Sequence, residues 1–146
     1  PNSNVYADLG TTWRMLMQNP DSAAHGMGKL LKYVGEDNVI WGTDSIWYGS
    51  PQDQIQTFRA FQISEELQER HGYPEMTSAL KAKIFGLNAA KPYEIDLTKV
   101  AALQSNDQFA LAKSNAQGRA DPHFLTFGPK SRREFMAFRR AEGYKV

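Results

Sequence analysis

The apolar residues of this chain follow two rhythms. At Val39-Ile40-Trp41 they run without interruption into Gly42, with β-branched and aromatic side chains, the pattern of a strand buried on both faces. Asn4 to Gly10 alternates instead, with Tyr6 and Asp8 on one face and Val5, Ala7 and Leu9 on the other, and predicts a second strand. Elsewhere the spacing is helical. Trp13, Leu16 and Met17 mark a short helix ended by Asn19-Pro20. Leu30, Leu31 and Val34 mark a longer one with Asp21 or Ser22 as its N-cap and Gly35 as its stop. Two buried strands joined by a helical crossover should lie parallel, so the predicted class is α/β.

Ser50-Pro51 opens the next helix, with Ile55, Phe58 and Phe61 facing the strands. Ser64 caps another that stops at Gly72. Thr77 opens a third with Leu80, Ile84 and Phe85 apolar, which Gly86 ends or kinks and which Pro92 prevents from continuing through Lys91. Beyond Asp96 the pattern shortens to helical pieces at Val100–Leu103 and Phe109–Ala112. Ser114 to Lys130 reads as irregular. Ser131-Arg132-Arg133-Glu134 is a capping box that opens a last helix, with Phe135, Met136 and Phe138 apolar and Arg132, Arg133, Arg139 and Arg140 forming a basic outer face.

Charge adds a division that the net value of +1 hides. Residues 1–96 carry 8 Lys and Arg against 12 Asp and Glu, whereas residues 97–146 carry 9 against 4. The chain therefore divides into an acidic body, 1–96, and a basic helical and irregular extension, 97–146. The extension lacks the interleaved aromatics of a single-strand binder, so no nucleic-acid partner is expected. No apolar run approaches the roughly 20 residues that span a bilayer, and no membrane partner is expected either. The absence of cysteine removes disulfides and thiolate ligands from consideration.

The candidate chemistry lies where the apolar run ends. Asp44 follows the carboxyl end of the Val39–Trp41 strand, the side on which loops of a covered parallel sheet place ligand-binding groups. Trp47 and Tyr48 beside it suit the substrate side of a pocket. Asp8, at the end of the other strand, is a candidate for the same mouth, and turn capping is the alternative reading of both aspartates. Gly26-Met27-Gly28-Lys29 is too short for a phosphate loop and reads as close helix packing. His25, His71 and His123 are dispersed and show no metal-ligand spacing.

The run Asn38-Val39-Ile40-Trp41-Gly42-Thr43-Asp44-Ser45, followed by Lys83-Ile84-Phe85-Gly86-Leu87-Asn88-Ala89-Ala90, resembles the carboxyl-terminal end of the amidohydrolase superfamily. Within it, the chain is similar to the amidohydrolase-2, or aminocarboxymuconate-semialdehyde decarboxylase-related, metal-dependent hydrolases. The resemblance covers residues 4–96. It implies a TIM (β/α)8 barrel with Asn4–Leu9 as strand 7 and Asn38–Thr43 as strand 8, and Asp44 as metal ligand and proton shuttle. The implied cofactor is a divalent metal, with zinc the expected ion, and the implied substrate is small, carboxylated or cyclic.

The family's His-x-His pair has no counterpart here, and a barrel takes about 250 residues. The chain is therefore expected to be the C-terminal portion of a longer enzyme, inactive without the N-terminal remainder of the barrel and open to homo-oligomer formation. A cytoplasmic location is the expectation. Nonoxidative decarboxylation at the same site is one alternative, and a non-catalytic interaction module is another.

Overall fold

The computed structural model describes residues 4–104, 107–115 and 131–143. Two short strands, β1 (Ala7–Asp8) and β2 (Val39–Ile40), pair in parallel with Ala7 opposite Val39 and Asp8 opposite Ile40. Hydrogen bonds from Ala7 N to the Asn38 carbonyl (2.8 Å) and from Leu9 N to the Ile40 carbonyl (3.0 Å) bound the ladder, so both strands are shorter than their apolar patterns. Parallel pairing with a helical crossover agrees with the pattern, in a chain that is otherwise rich in helix.

The crossover consists of α1 (Gly10–Leu16) and α2 (Pro20–Tyr33). The cap of α2 is Asn19, not Asp21 or Ser22: its Oδ1 accepts from the amides of both those residues at 3.0 Å, and Pro20 follows at the first helical position. That proline has no amide to satisfy and its fixed φ suits a first turn, which moves the start forward. The buried stripe of α2 is correspondingly earlier than Leu30, Leu31 and Val34. It runs through Ala23, Ala24, Met27 and Leu31, whose small members allow close approach. Gly26 and Gly28 do serve packing, since a Cβ at Gly28 would stand 2.3 Å from the Tyr73 ring and one at Gly26 would stand 2.6 Å from the Leu16 side chain.

After β2 come α3 (Ser45–Tyr48), a single turn in what reads as loop, and then α4 (Gln52–Ala60) and α5 (Glu65–His71). Ser64 caps α5 by accepting from Leu67 N, and Gly72 ends it in the left-handed region at φ 63°. Next are α6 (Ser78–Ala82), a π-helical turn (Lys83–Leu87) and α7 (Asn88–Ala90). Gly86 neither stops nor breaks this run. The C-terminal region contributes α8 (Leu97–Gln104), α9 (Gln108–Asn115) and α10 (Arg132–Ala141). Ser114 and Asn115 close α9 and are not irregular. The rest of the predicted irregular stretch, 116–130 with His123, lies outside the described residues.

Trp13 is the centre of the core. Its ring meets Phe58 and Phe61 edge-on at centroid distances of 5.0 and 5.3 Å, and Trp41 bridges Phe58 and Phe85 at 5.0 and 4.7 Å. Leu9, Met27, Val39, Met76 and Ile84 complete the buried cluster. Phe135 joins it from α10, which packs on α4. Arg139, expected on the basic outer face, is fully buried one helical turn from Phe135 and donates to Glu142 at 2.7 Å. Residues four apart share a helix face, so burying Phe135 turns Arg139 inward with it.

Candidate functional site

The site begins where the two parallel strands end. Asp8 is the last residue of β1, and its Oδ1 accepts from Gly10 N at 2.8 Å, which starts α1. Four residues past β2, Asp44 occupies the left-handed region at φ 48°, ψ 33°, a conformation that aspartate tolerates better than most residues. It stands at the N-cap of α3 yet makes no capping bond to that helix. Thr43 Oγ1 accepts from Ser45 N instead, at 3.3 Å. The Asp44 carboxylate turns across the strand ends to α1. Its Oδ2 accepts from Thr11 N at 2.8 Å and from Thr11 Oγ1 at 2.6 Å.

Two glycines make room for this arrangement. A Cβ on Gly10 would stand 2.8 Å from Asp44 Oδ1, and one on Gly42 would stand 2.3 Å from Asp8 Oδ1, both too close for any side chain. Gly10 thus meets both carboxylates: its amide bonds Asp8 and its bare Cα lies against Asp44.

The sequence-predicted residues divide. Tyr48 joins Asp44 through Thr11, whose Oγ1 is 3.0 Å from the Tyr48 hydroxyl. Trp47 is 77% exposed, and among the described residues it meets the site only through its backbone, its amide donating to the Asp44 carbonyl at 2.9 Å. Beneath Tyr48 lies an ion pair that the sequence pattern does not reveal. Arg14 and Asp53 bond to each other with both side chains nearly buried, and the Arg14 guanidinium sits 5.5 Å from the Tyr48 ring centroid. Gln54, also buried, donates from Nε2 to the Thr43 carbonyl at 2.8 Å and so fixes the loop ahead of Asp44. Its Oε1 finds no donor among the described residues.

Thr11 is the member that sequence reasoning passed over. Its signal was its place, three residues past Asp8 at the carboxyl edge of the strand pair, where a hydroxyl can reach the neighbouring strand's loop.

A second polar cluster lies between α2 and the end of α5. Contrary to their dispersal in the sequence, the His25 and His71 rings meet edge-to-face at 5.0 Å. His25 Nδ1 lies 3.2 Å from the Tyr73 hydroxyl, and the Tyr73 ring stacks on His71 at 5.2 Å. Desolvation first, and then the positive charge of His25, Arg70, Lys32 and Lys29, holds the His71 pKa below its ordinary 6.5.

No group of three or more His, Asp and Glu side chains among the described residues is placed to hold a metal ion. The donor set at Asp44 is one carboxylate with hydroxyls about it, and a hydrolytic zinc needs three protein ligands. These residues alone do not fit the ion. A cleft of about 250 Å3, lined by Trp13, Met17, Ala23, Phe61, Arg132 and Phe135 among others, includes none of Asp8, Asp44, Trp47 or Tyr48. No helix among the described residues is long and apolar enough to cross a membrane.

Residues 2–95 match a family model described as Amidohydrolase. No curated protein and no solved structure matches the chain.

Proposed function

This chain belongs to the amidohydrolase family, and on that premise we propose that it is part of a metal-dependent hydrolase acting on a small carboxylated or cyclic substrate. In this reading residues 1–96 supply the last β/α units of a (β/α)8 barrel, with β1 as strand 7 and β2 as strand 8. Asp44 is the carboxylate that closes strand 8. It serves as one metal ligand and as the proton acceptor, and the imidazoles that complete the metal site come from elsewhere in the protein.

The supporting observation is the Asp44 backbone. A left-handed non-glycine residue costs on the order of 1–3 kcal/mol and persists where surrounding structure enforces it, characteristically at functional sites. Here it turns the carboxylate away from its own helix, and Oδ2 is held by both Thr11 donors. Oδ1, which lies against the bare Cα of Gly10 and accepts no hydrogen bond among the described residues, is the oxygen assigned to the proton in this reading. Trp47, on the exposed side, lines the path of the substrate.

The test is Asp44→Asn in the whole protein, assayed on a panel of small cyclic amides, lactones and carboxylated acids. Loss of a positioned acid–base group should lower kcat by roughly 10²- to 10⁴-fold. Wild-type turnover would overturn the role of Asp44. Carbon dioxide release without hydrolysis products would assign decarboxylation, the neighbouring chemistry in this superfamily.

A non-catalytic interaction module is the second reading. It is favoured by the patch of Ile46 and Trp47, 85% and 77% exposed on α3. Stoichiometric metal in the whole protein decides for the enzyme.

A further inference from the structure

We propose that Thr11 and Tyr48 form a one-way hydrogen-bond relay that positions the Asp44 carboxylate, with the nearly buried Arg14–Asp53 pair as its footing. The inference rests on the proposed role of Asp44 and goes beyond it, because it assigns Tyr48 to the enzyme's own carboxylate and not to the substrate.

The direction of the relay follows from counting protons. An ionised carboxylate only accepts hydrogen bonds, and a threonine hydroxyl has one proton to give. At 2.6 Å from Asp44 Oδ2, the Thr11 hydroxyl spends that proton on the carboxylate. Its contact with Tyr48, at 3.0 Å, then has one polarity: the phenol donates and Thr11 Oγ1 accepts. The relay runs from Tyr48 to Thr11 to Asp44 Oδ2, and each donor polarises the next bond.

Two features hold its ends. The Thr11 amide, in the first turn of α1 where amides have no partner within the helix, gives Oδ2 its second bond at 2.8 Å. At the other end the Tyr48 ring rests on the Arg14 guanidinium, which Asp53 fixes from below. Asp53 lies in the first turn of α4, where its Oδ1 also accepts from Gln54 N at 2.8 Å. With Oδ2 held by two donors, the bonds fix how the carboxylate is turned, and among the described residues Oδ1 accepts none. Thr11 and Tyr48 are positioning residues in this account, since neither is asked to touch the reacting atoms.

The experiment reads the relay twice in the whole protein. With 15N-threonine labelling, hydrogen exchange at the Thr11 amide should accelerate at least about tenfold in Asp44→Ala, and by a smaller factor in Tyr48→Phe because the anchored carboxylate loosens. An unchanged Thr11 rate in Tyr48→Phe overturns the relay. In turnover, Thr11→Val should lower kcat about tenfold with KM within about twofold, and Thr11→Ser should restore most of it, since a small misplacement of a reacting group acts on the chemical step. Wild-type kcat in Thr11→Val, alongside an inactive Asp44→Asn, overturns the positioning role and leaves the proposed function standing. Wild-type kcat in Asp44→Asn overturns the proposed function and with it the catalytic use of the relay.

Discussion

A proton arriving at His71 meets a ring partly stripped of water first and cationic neighbours second. His25, Lys29 and Lys32 face it from α2, and Arg70 precedes it on α5. Its ring is also sandwiched between the His25 edge and the Tyr73 face. Because the folded-state pKa lies below the unfolded 6.5, the unfolded chain binds more protons between those two values, so stability falls as pH drops through that window and is unaffected by this group above it. The thermal midpoint should therefore decline as pH is lowered below about 6.5, and His71→Gln should lessen that decline. A slope unchanged in the variant would show that other groups set it. Residues of this kind mark the limit of reading a sequence. Asp44 is legible because a carboxylate ending an apolar run has few other places to stand. The meeting of His25 with His71 is made by α2 docking against the end of α5 and leaves no spacing to find, whereas Thr11 is marked only by its place just past Asp8.

Elements show the same boundary from another side. The caps at Ser64, Thr77 and Ser131 are local chemistry, a side-chain oxygen accepting a nearby amide, and all three occur where the pattern puts them. The fate of Lys83–Ala90 is not local. Gly86 reads as a stop or a kink, yet the helix passes through it in a π turn whose flanks are pinned to β2 and to the turn just before it. Lys83 bonds Glu36 and Asp37 at 2.6 and 2.8 Å, and bonds from Asp37 first and then Glu36 hold its pKa above the ordinary lysine value. Asn88, buried, donates both amide protons inward, to the carbonyls of Glu36 at 2.7 Å and Val39 at 2.8 Å. Asn88→Ala leaves a buried strand carbonyl without that donor and should cost about 1–3 kcal/mol, read as a lower denaturant midpoint. Lys83→Ala breaks only solvent-screened pairs and should change stability much less. Equal effects would mean that the ion pairs, not the asparagine, join the helix to the strand.

For the whole molecule, the question is what the basic C-terminal region does for the acidic body. The charge asymmetry suggests a solvated basic face, and most of the arginines on α10 fit that picture. The buried pair of Phe135 and Arg139 does not, and it shows that α10 is fastened to the body through its apolar side. Phe135 reaches the walls formed by Trp13, Met17 and Phe61, beside a cleft already about 250 Å3 in volume. Truncation there has little means of collapse, so Phe135→Ala should destabilise the protein by about 3–5 kcal/mol, with Phe135→Leu losing much less. A loss within about 0.5 kcal/mol, the ordinary range for a surface position, would show that α10 is not part of the folded core. The consequence reaches the site, because Trp13 lies two residues beyond Thr11 on α1. Loosening the wall that holds Trp13 should also speed exchange at the Thr11 amide, whereas Arg133→Ala on the exposed face of the same helix should leave it unchanged.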